Sequence, residues 1–352
     1  MGSVWVVIPS YEPDERLFSL CKELVGSGIK KIVVVDDGSG EAYDRIFNQV
    51  RMLNLVVLTH FENLGKGRAL KTAFNYLLVI EKDLIGCVTA DSDGQHTVKD
   101  IIECITRMQI SSDKLLLGCR VFNADMVPWK SRVGNTLTKR VCQYLCGLKV
   151  SDTQTGLRGI PGAFMRQCLS VPGERFEFET NMLLAANACM DIDEFPIETV
   201  YDSKTHHRTH FDPIRDSIKI YKIFGRYFMS YILSSLSSAL LDLYLFDFVC
   251  TMLRGQAGGV THVIIATIFA RTVSSVYNYF VNYKIVFKSR KRKDVAAAGY
   301  FALVIAQMVM SAAMVSVGVK VFPVWQEVWI KIMADAFLFF VSYKVQQQFV
   351  FS

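Results

Sequence analysis

The hydrophobic pattern divides the chain into two parts. After residue 227, four apolar stretches follow one another: 228–253, 258–283, 295–319 and 325–349. Each is long enough for a helix to cross a hydrocarbon core of about 30 Å, which takes about 20 mostly apolar residues. Four such stretches in succession favour an all-α domain of four transmembrane helices over a set of core helices in a soluble protein.

Before residue 228, short strand-like runs alternate with helical ones. The strand-like runs are rich in β-branched residues and lie at 5–8, 32–35, 55–59 and 85–89, with helical stretches such as 16–26 and 66–82 between them. This alternation predicts a parallel sheet with helices on both faces, and such sheets bind ligands beyond the carboxyl ends of their strands. The predicted organisation is a Rossmann-like α/β domain over residues 1–227, including interfacial helices, followed by a membrane domain over residues 228–352.

The distribution of charged residues predicts how the chain is oriented in the membrane. The chain has 39 basic and 33 acidic residues, a net charge of +6, and the whole excess lies after residue 227. Six basic residues lie in the link between the second and third apolar stretches: Lys284, Lys288, Arg290, Lys291, Arg292 and Lys293. The positive-inside rule assigns this link to the cytoplasm. Four spans would then make a multi-pass protein of the cell membrane with its first domain and both termini in the cytoplasm.

Candidate site residues follow all four predicted strands of the first domain. They are Pro9, Tyr11 and Glu12 after the first strand, Asp36 and Asp37 after the second, Lys66 within Gly-Lys-Gly after the third, and Asp91, Asp93 and Gln95 after the fourth. Two carboxylates at spacing i, i+2 with an amide suit Mg²⁺ or Mn²⁺, and Gly-Lys-Gly at a helix start suits phosphate. A Walker loop and a GxGxxG motif after the first strand are both absent, which disfavours an ATP or NAD site.

These motifs together resemble a known family. Pro9-Ser10-Tyr11-Glu12, Asp36-Asp37-Gly38-Ser39, Asn63-Leu64-Gly65-Lys66-Gly67 and Asp91-Ser92-Asp93-Gly94-Gln95-His96 are similar to glycosyltransferase family 2, which has the GT-A fold. Within it the sequence most resembles polyprenyl-phosphate glycosyltransferases of the dolichyl-phosphate-mannose-synthase type. Beyond residue 228, Arg271, Asn278-Tyr279, Asn282-Tyr283 and Phe287 resemble the GtrA-like membrane domain.

The resemblance implies roles for the residues at the strand ends. Asp91, Asp93 and Gln95 would hold Mg²⁺ or Mn²⁺, with Asp93 essential for catalysis. The nucleotide sugar would be bound by Pro9, Tyr11, Glu12, Asp36, Asp37, Lys66 and Asp91. Glu179 matches an acidic family position near the sugar, although capping of a helix is an equal alternative for it.

An acceptor that carries a phosphate requires cations near the bilayer. The candidates are Arg120, Arg132, Lys204 and Arg208. The three arginines are also candidate catalytic residues, because the planar guanidinium binds phosphate bidentately and keeps its proton. A solvated surface charge is the alternative for each of them.

The resulting hypothesis is an inverting, metal-dependent transfer of a hexose from a nucleotide sugar, UDP-glucose-like or GDP-mannose-like, to a polyprenyl phosphate. The product would serve cell-envelope glycosylation. The expected partners are the nucleotide sugar, the lipid phosphate and the bilayer, with no nucleic acid, and an oligomer is possible. Two alternatives stay open: transfer to a glycan or polymer, and translocation of a lipid-linked sugar with the first domain as a binding module.

Overall fold

The computed structural model describes residues 2–120, 147–198 except 149, 215–253, 261–322 except 288 and 290, and 327–351, together with 143 and 324. The chain divides into two compact units, Met1–Ile223 and Phe224–Ser352. The division into domains at 227/228 stays a prediction.

The first unit is built on one seven-stranded sheet. Its strands are β1 (Ser3–Ser10), β2 (Ile32–Asp36), β3 (Val56–Thr59), β4 (Leu84–Thr89), β5 (Leu115–Arg120), β6 (Arg158–Pro161) and β7 (Ile192–Ile197). The helices described in this unit are α1 (Glu15–Gly26), α2 (Asp44–Met52), α3 (Lys66–Ile80), α4 (Val98–Ile110), α5 (Gly162–Cys168) and α6 (Glu177–Asn187), with a 3-10 turn at Glu41–Tyr43. The four predicted strands and both predicted helices are present, with ends shifted by one or two residues.

The strand order is β3-β2-β1-β4-β6-β5-β7, and the sheet is mixed. The prediction of a parallel sheet was wrong at β6, which runs antiparallel to both β4 and β5. This strand is the short run Arg158-Gly159-Ile160-Pro161, whose single β-branched residue gives little strand signal. The direction of a strand also depends on how the chain returns to the sheet, which the local hydrophobic pattern does not encode.

Burial explains why the central strands form where they do. All five residues of β2 are buried, as expected for a strand covered by helices on both faces. Val6 and Ile8 of β1 pack with Leu17 and Leu24 of α1 in the main core. The parallel register pairs Ser10 with Asp36, so the carboxyl ends of β1 and β2 lie side by side. This edge of the sheet positions the candidate site.

The described residues of the four predicted apolar stretches are helical. Its helices are α7 (Arg215–Leu253), α8 (Thr261–Val281), α9 (Lys293–Val321) and α10 (Glu327–Val345). Five-residue π-helical segments follow two of them, π1 (Asn282–Val286) after α8 and π2 (Gln346–Val350) after α10. Within the described residues, Phe228–Leu253 and Lys293–Gly318 are long and apolar enough to cross a membrane. The count of four spans and the cytoplasmic termini stay predictions.

Candidate active site

A lysine between two carboxylates is the centre of the candidate site. Lys66 Nζ lies 2.7 Å from Asp91 Oδ1 and 3.0 Å from Glu179 Oε1. Burial acts to lower the pKa of Lys66, but the two carboxylates outweigh it and raise this pKa above its ordinary value. Burial likewise acts to raise the pKa of Asp91, and the Lys66 ammonium and His96 bring it below the ordinary value. Lys66 and Asp91 are therefore both charged at neutral pH.

Two glycines explain how Lys66 reaches Glu179. Gly65 has a positive φ of 103°, and a Cβ there would lie 2.5 Å from the carbonyl oxygen of Glu174. A Cβ on Gly67 would lie 2.5 Å from Cβ of Phe178. Because glycine has no Cβ, the start of α3 can approach the segment before α6 closely. The Gly-Lys-Gly sequence thus brings Lys66 and Glu179 together.

A third glycine places a loop against Asp91. A Cβ on Gly156 would lie 2.1 Å from Asp91 Oδ2, and the hydroxyl of Thr89 donates a 2.7 Å hydrogen bond to the Gly156 carbonyl. The loop that leads into β6 is therefore held directly over the end of β4. Any side chain at position 156 would displace the Asp91 carboxylate.

Asp93 and Gln95 lie on the same strand-end loop as Asp91. Gln95 donates to Asp93 from its backbone N (3.1 Å) and from Nε2 (2.7 Å). Burial and the neighbouring Asp91 charge raise the pKa of Asp93. Two carboxylates that repel each other and an amide are the oxygen donors that Mg²⁺ and Mn²⁺ prefer, so the donor set fits such an ion. Among the described residues, no group of three His, Cys, Asp or Glu side chains is arranged as a metal site.

The carboxylates after β2 have structural partners. Asp37, which is 2% exposed, accepts hydrogen bonds from Leu64 N (3.0 Å), Gly65 N (2.7 Å) and the His60 ring (2.7 Å). It therefore fixes the loop that carries Lys66. Asp36 is also buried, and its Oδ1 accepts a hydrogen bond from Ser39 N.

The predicted residues at the end of β1 and directly after it lie at the same edge. Pro9 pairs with Val35 in the sheet. Glu12 has a positive φ of 48°, and its N donates to the Ser39 hydroxyl. Hydrogen bonding to Glu12 is the main cause that raises the pKa of Tyr11, which is partly exposed. The structure thus brings the ends of β1 and β2 together, and contact of these residues with a nucleotide stays a prediction.

One of the four predicted acceptor cations is described. Arg120, at the end of β5, makes two hydrogen bonds with the buried Asp152, from Nε (2.6 Å) and Nη2 (3.0 Å). Arg132, Lys204 and Arg208 lie outside the described residues. Binding of a phosphate by these groups stays a prediction.

A buried arginine was not identified from the sequence. Arg158 is fully buried and donates to three backbone carbonyls, those of Thr155 (2.8 Å), Glu179 (2.9 Å) and Thr153 (3.1 Å). It therefore ties the loop over Asp91 to the helix that carries Glu179. The available signal was the arginine at the end of Gln-Thr-Gly-Leu-Arg, in a segment that is otherwise uncharged.

Comparison with known proteins identifies both parts of the chain. Residues 5–167 match the family described as Glycosyl transferase family 2, and residues 230–351 match the family described as GtrA/DPMS, transmembrane domain. The mixed α/β first unit has the GT-A architecture.

Two curated relatives and one solved structure are similar to part of this chain. An uncharacterized protein of Methanocaldococcus jannaschii is 28% identical over 203 residues, 56% of this chain and 82% of the relative. The UDP-N-acetylglucosamine–dolichyl-phosphate N-acetylglucosaminyltransferase of Methanococcus voltae is 26% identical over 221 residues, 56% of this chain and 86% of the relative. Glucosyl-3-phosphoglycerate synthase from Mycobacterium tuberculosis, in complex with Mg²⁺ and uridine diphosphate, has a TM-score of 0.45 at 14% identity and covers 58% of this chain and 73% of its own. The chain consists of a glycosyl transferase family 2 domain followed by a GtrA/DPMS transmembrane domain.

Proposed function

We propose that the protein transfers a sugar from a nucleotide sugar to a polyprenyl phosphate at the membrane. The observation that carries the proposal is the charged cluster of Lys66, Asp91 and Glu179 at the carboxyl edge of the sheet, in a chain that continues as a GtrA/DPMS transmembrane domain. The Methanococcus voltae relative, whose name includes a dolichyl-phosphate acceptor, supports a lipid phosphate as the second substrate.

On the donor side, each residue has a separable task. Asp91, Asp93 and Gln95 would hold Mg²⁺ or Mn²⁺, which when bound would neutralise charge on the diphosphate leaving group. Lys66 offers an ammonium at the start of α3, where backbone N–H groups also favour an anion. The bonds from Asp37 to the backbone of Leu64 and Gly65 keep that helix start in place.

On the acceptor side, the chemistry needs little proton transfer. A phosphate monoester is ionised at neutral pH, so its oxygen can attack the anomeric carbon while the bond to the nucleoside diphosphate breaks. Arg120, Arg132, Lys204 and Arg208 would bind that phosphate, and the Asp152 carboxylate holds the Arg120 guanidinium in place. Glu179 would accept a hydrogen bond from a hydroxyl of the sugar.

We further propose the cellular setting. The chain would cross the cell membrane four times. The basic link after α8 and the transferase domain would both face the cytoplasm. The product would be a lipid-linked hexose for the cell envelope. Glucose carried by UDP and mannose carried by GDP are the first donors to test.

The decisive experiment supplies membranes with polyprenyl phosphate and a panel of labelled sugars: UDP-glucose, UDP-N-acetylglucosamine and GDP-mannose. We expect label in the organic phase with one donor, and a loss with Asp93→Asn of about a hundredfold or more, the scale for removing one preorganised electrostatic group. Asp113→Asn, at an exposed site, is the matched control and should leave the counts unchanged.

The melting temperature of the same variant shows whether a loss of transfer comes from the reaction itself or from unfolding. Burial and Asp91 disfavour the ionised form of Asp93, so Asp93→Asn should have an unchanged or higher melting temperature. Label that appears only in a water-soluble glycan would contradict the lipid acceptor. Unaltered transfer by Asp93→Asn would contradict the proposed site.

A further inference from the structure

Lys71 is a buried charged residue that the proposed reaction does not use. It lies on α3, one helical turn after Gly67, and is 7% exposed. Its ammonium donates hydrogen bonds to the Gly173 carbonyl (2.9 Å) and to Glu174 Oε1 (3.0 Å). Lysine is buried in proteins almost only when it is paired, so these two bonds are what allows Lys71 to lie inside the unit.

The same ammonium also contacts the start of α6. Lys71 Nζ lies 5.0 Å from the centroid of the Phe178 ring, a distance typical of a cation–π contact. Phe178 is fully buried, and Gly67, on the same face of α3 as Lys71, packs against its Cβ. Because Glu179 follows Phe178 directly in the chain, the contacts that fix the Phe178 ring also fix the backbone that carries Glu179.

The segment 173–178 is a compact turn that Lys71 contacts at both ends. Within it, Glu177 Oε1 accepts hydrogen bonds from the backbone N of Glu174 (3.3 Å) and of Arg175 (3.4 Å). These internal bonds hold the turn together. The bonds from Lys71 therefore hold the 173–178 turn as a unit against α3.

We propose that Lys71 is a positioning residue for the sugar. It holds the 173–178 turn in place, and the turn places Glu179 beside Lys66, where the carboxylate can accept a hydrogen bond from a sugar hydroxyl. This inference rests on the proposed function. Lys71 does not itself touch the substrate, because its ammonium is bonded to the oxygens of Gly173 and Glu174. The two lysines of α3 then have separate tasks, Lys66 for the anion and Lys71 for the placement of Glu179.

Kinetics of the full-length protein in membranes test this role. Lys71→Met removes the ammonium and keeps an apolar side chain, and Glu174, whose side chain is 41% exposed, keeps Arg68 Nε at 2.8 Å as a partner. We expect the KM for the sugar donor to rise about tenfold, the scale of one lost hydrogen bond to a charged group. The KM for the lipid phosphate should stay unchanged.

Two further variants serve as controls for the charge. Lys71→Arg keeps a cation at this position and should raise the donor KM less than Lys71→Met does. Lys22→Met, at an exposed site of α1, should leave both KM values unchanged. A loss of folded protein would lower kcat in Lys71→Met without raising the donor KM, so it is distinguished from misplacement of Glu179.

A double-mutant cycle shows whether Lys71 acts through Glu179. In a Glu179→Gln background, Lys71→Met should change kcat/KM by less than about twofold, because the sugar contact that it would misplace is already lost. Glu174→Gln breaks the same ion pair at a half-exposed site and replaces Lys71→Met in both measurements should that variant fail to fold.

Two results would overturn the role of Lys71 while wild-type transfer is intact. One is an unchanged donor KM in Lys71→Met, and the other is an equal loss with and without the Glu179 carboxylate. Absence of transfer to lipid by the wild-type protein would instead contradict the proposed function, and this inference with it.

Discussion

The two units bury polar groups in different ways. In the first unit, Lys66, Asp91 and Glu179 form a charged cluster whose side chains retain 10–25% exposure. In the membrane unit, Asn282 is fully buried and uncharged, with hydrogen bonds to Ser234 (2.6 Å), Asn278 (3.0 Å) and Gln346 (2.9 Å). One cluster is an ion-pair network near solvent, and the other is a network of amides and hydroxyls.

This difference indicates that the polar groups of the two units have different roles. Charged groups near solvent can exchange one partner for another, so the Lys66 cluster is suited to receive an anionic substrate. Amides that satisfy one another have no such excess of charge, and a polar network that is fully bonded fixes a single arrangement of helices. The membrane network joins residues of α7, α8, π1 and π2, so it holds these elements together.

The largest effect on stability is expected when Lys66 is removed from the charged cluster of the first unit. Lys66→Met leaves the carboxylates of Asp91 and Glu179, whose side chains are 25% and 10% exposed, without their cation. It should lower the free energy of unfolding by about 3 kcal/mol, the low end for breaking a buried pair. Lys66 holds the pKa of Asp91 low, so this deficit should be complete at neutral pH and shrink below about pH 4, the ordinary range of aspartate. Unfolding at several pH values would check this, with exposed Lys22→Met as the control. A deficit independent of pH would show that the cluster is not electrostatic.

A smaller loss of stability is expected when a methyl group is added at Gly156, in the loop over the end of β4. Gly156→Ala places Cβ against Asp91 and should reduce transfer strongly while it lowers stability by about 1–3 kcal/mol, as overpacking does. Gly26, where a Cβ would meet nothing within 4 Å, provides the matched control as Gly26→Ala. Normal activity of Gly156→Ala in the organic-phase assay would mean that Asp91 need not stay where it is.

A still smaller effect is expected in the membrane unit. Asn282→Leu should destabilise by about 0.6–1.7 kcal/mol, the interval from the average to the maximum measured for hydrogen bonds between membrane helices. The double variant with Gln346→Leu should lose less than the sum of the single variants, because no amide is then left unpaired. Thermal unfolding in detergent gives these values, with Phe280→Leu, at a position that is 47% exposed, as the control. Additive losses would contradict a shared network.

The smallest effect is expected at an exposed ion pair. Lys99 lies 3.0 Å from Glu198, with both side chains more than 70% exposed. Exposed pairs contribute little because water screens them. Lys99→Ala should therefore leave the unfolding midpoint unchanged within error, and a clear decrease would show that exposure is a poor guide to the strength of ion pairs here.

Local patterns predicted much of the fold. The β-branched runs gave β1 to β4, and the apolar stretches gave α7 to α10. The antiparallel direction of β6 was missed because strand direction depends on the path of the whole chain. The sequence placed Asp91, Asp93 and Lys66 at one edge because parallel strands share it.

Contacts between distant parts of the chain were not predictable in the same way. The pairing of Lys66 with Glu179 depends on how closely α3 approaches α6, which only the packing around Gly65 and Gly67 determines. A repeat within the membrane unit was visible in the sequence, because Tyr279 and Phe287 recur 64 positions later as Tyr343 and Phe351. That both copies bury equivalent positions, such as Asn282 and Gln346, is shown only by the structure.

The guanidinium of Arg158 has an electrostatic consequence. Its hydrogen bonds run to three neutral carbonyls, and an arginine side chain keeps its proton in proteins. Those bonds leave a whole positive charge beneath the loop that covers Asp91. It provides a fixed attractive potential for anions arriving at this edge of the sheet, even before any of them makes direct contact.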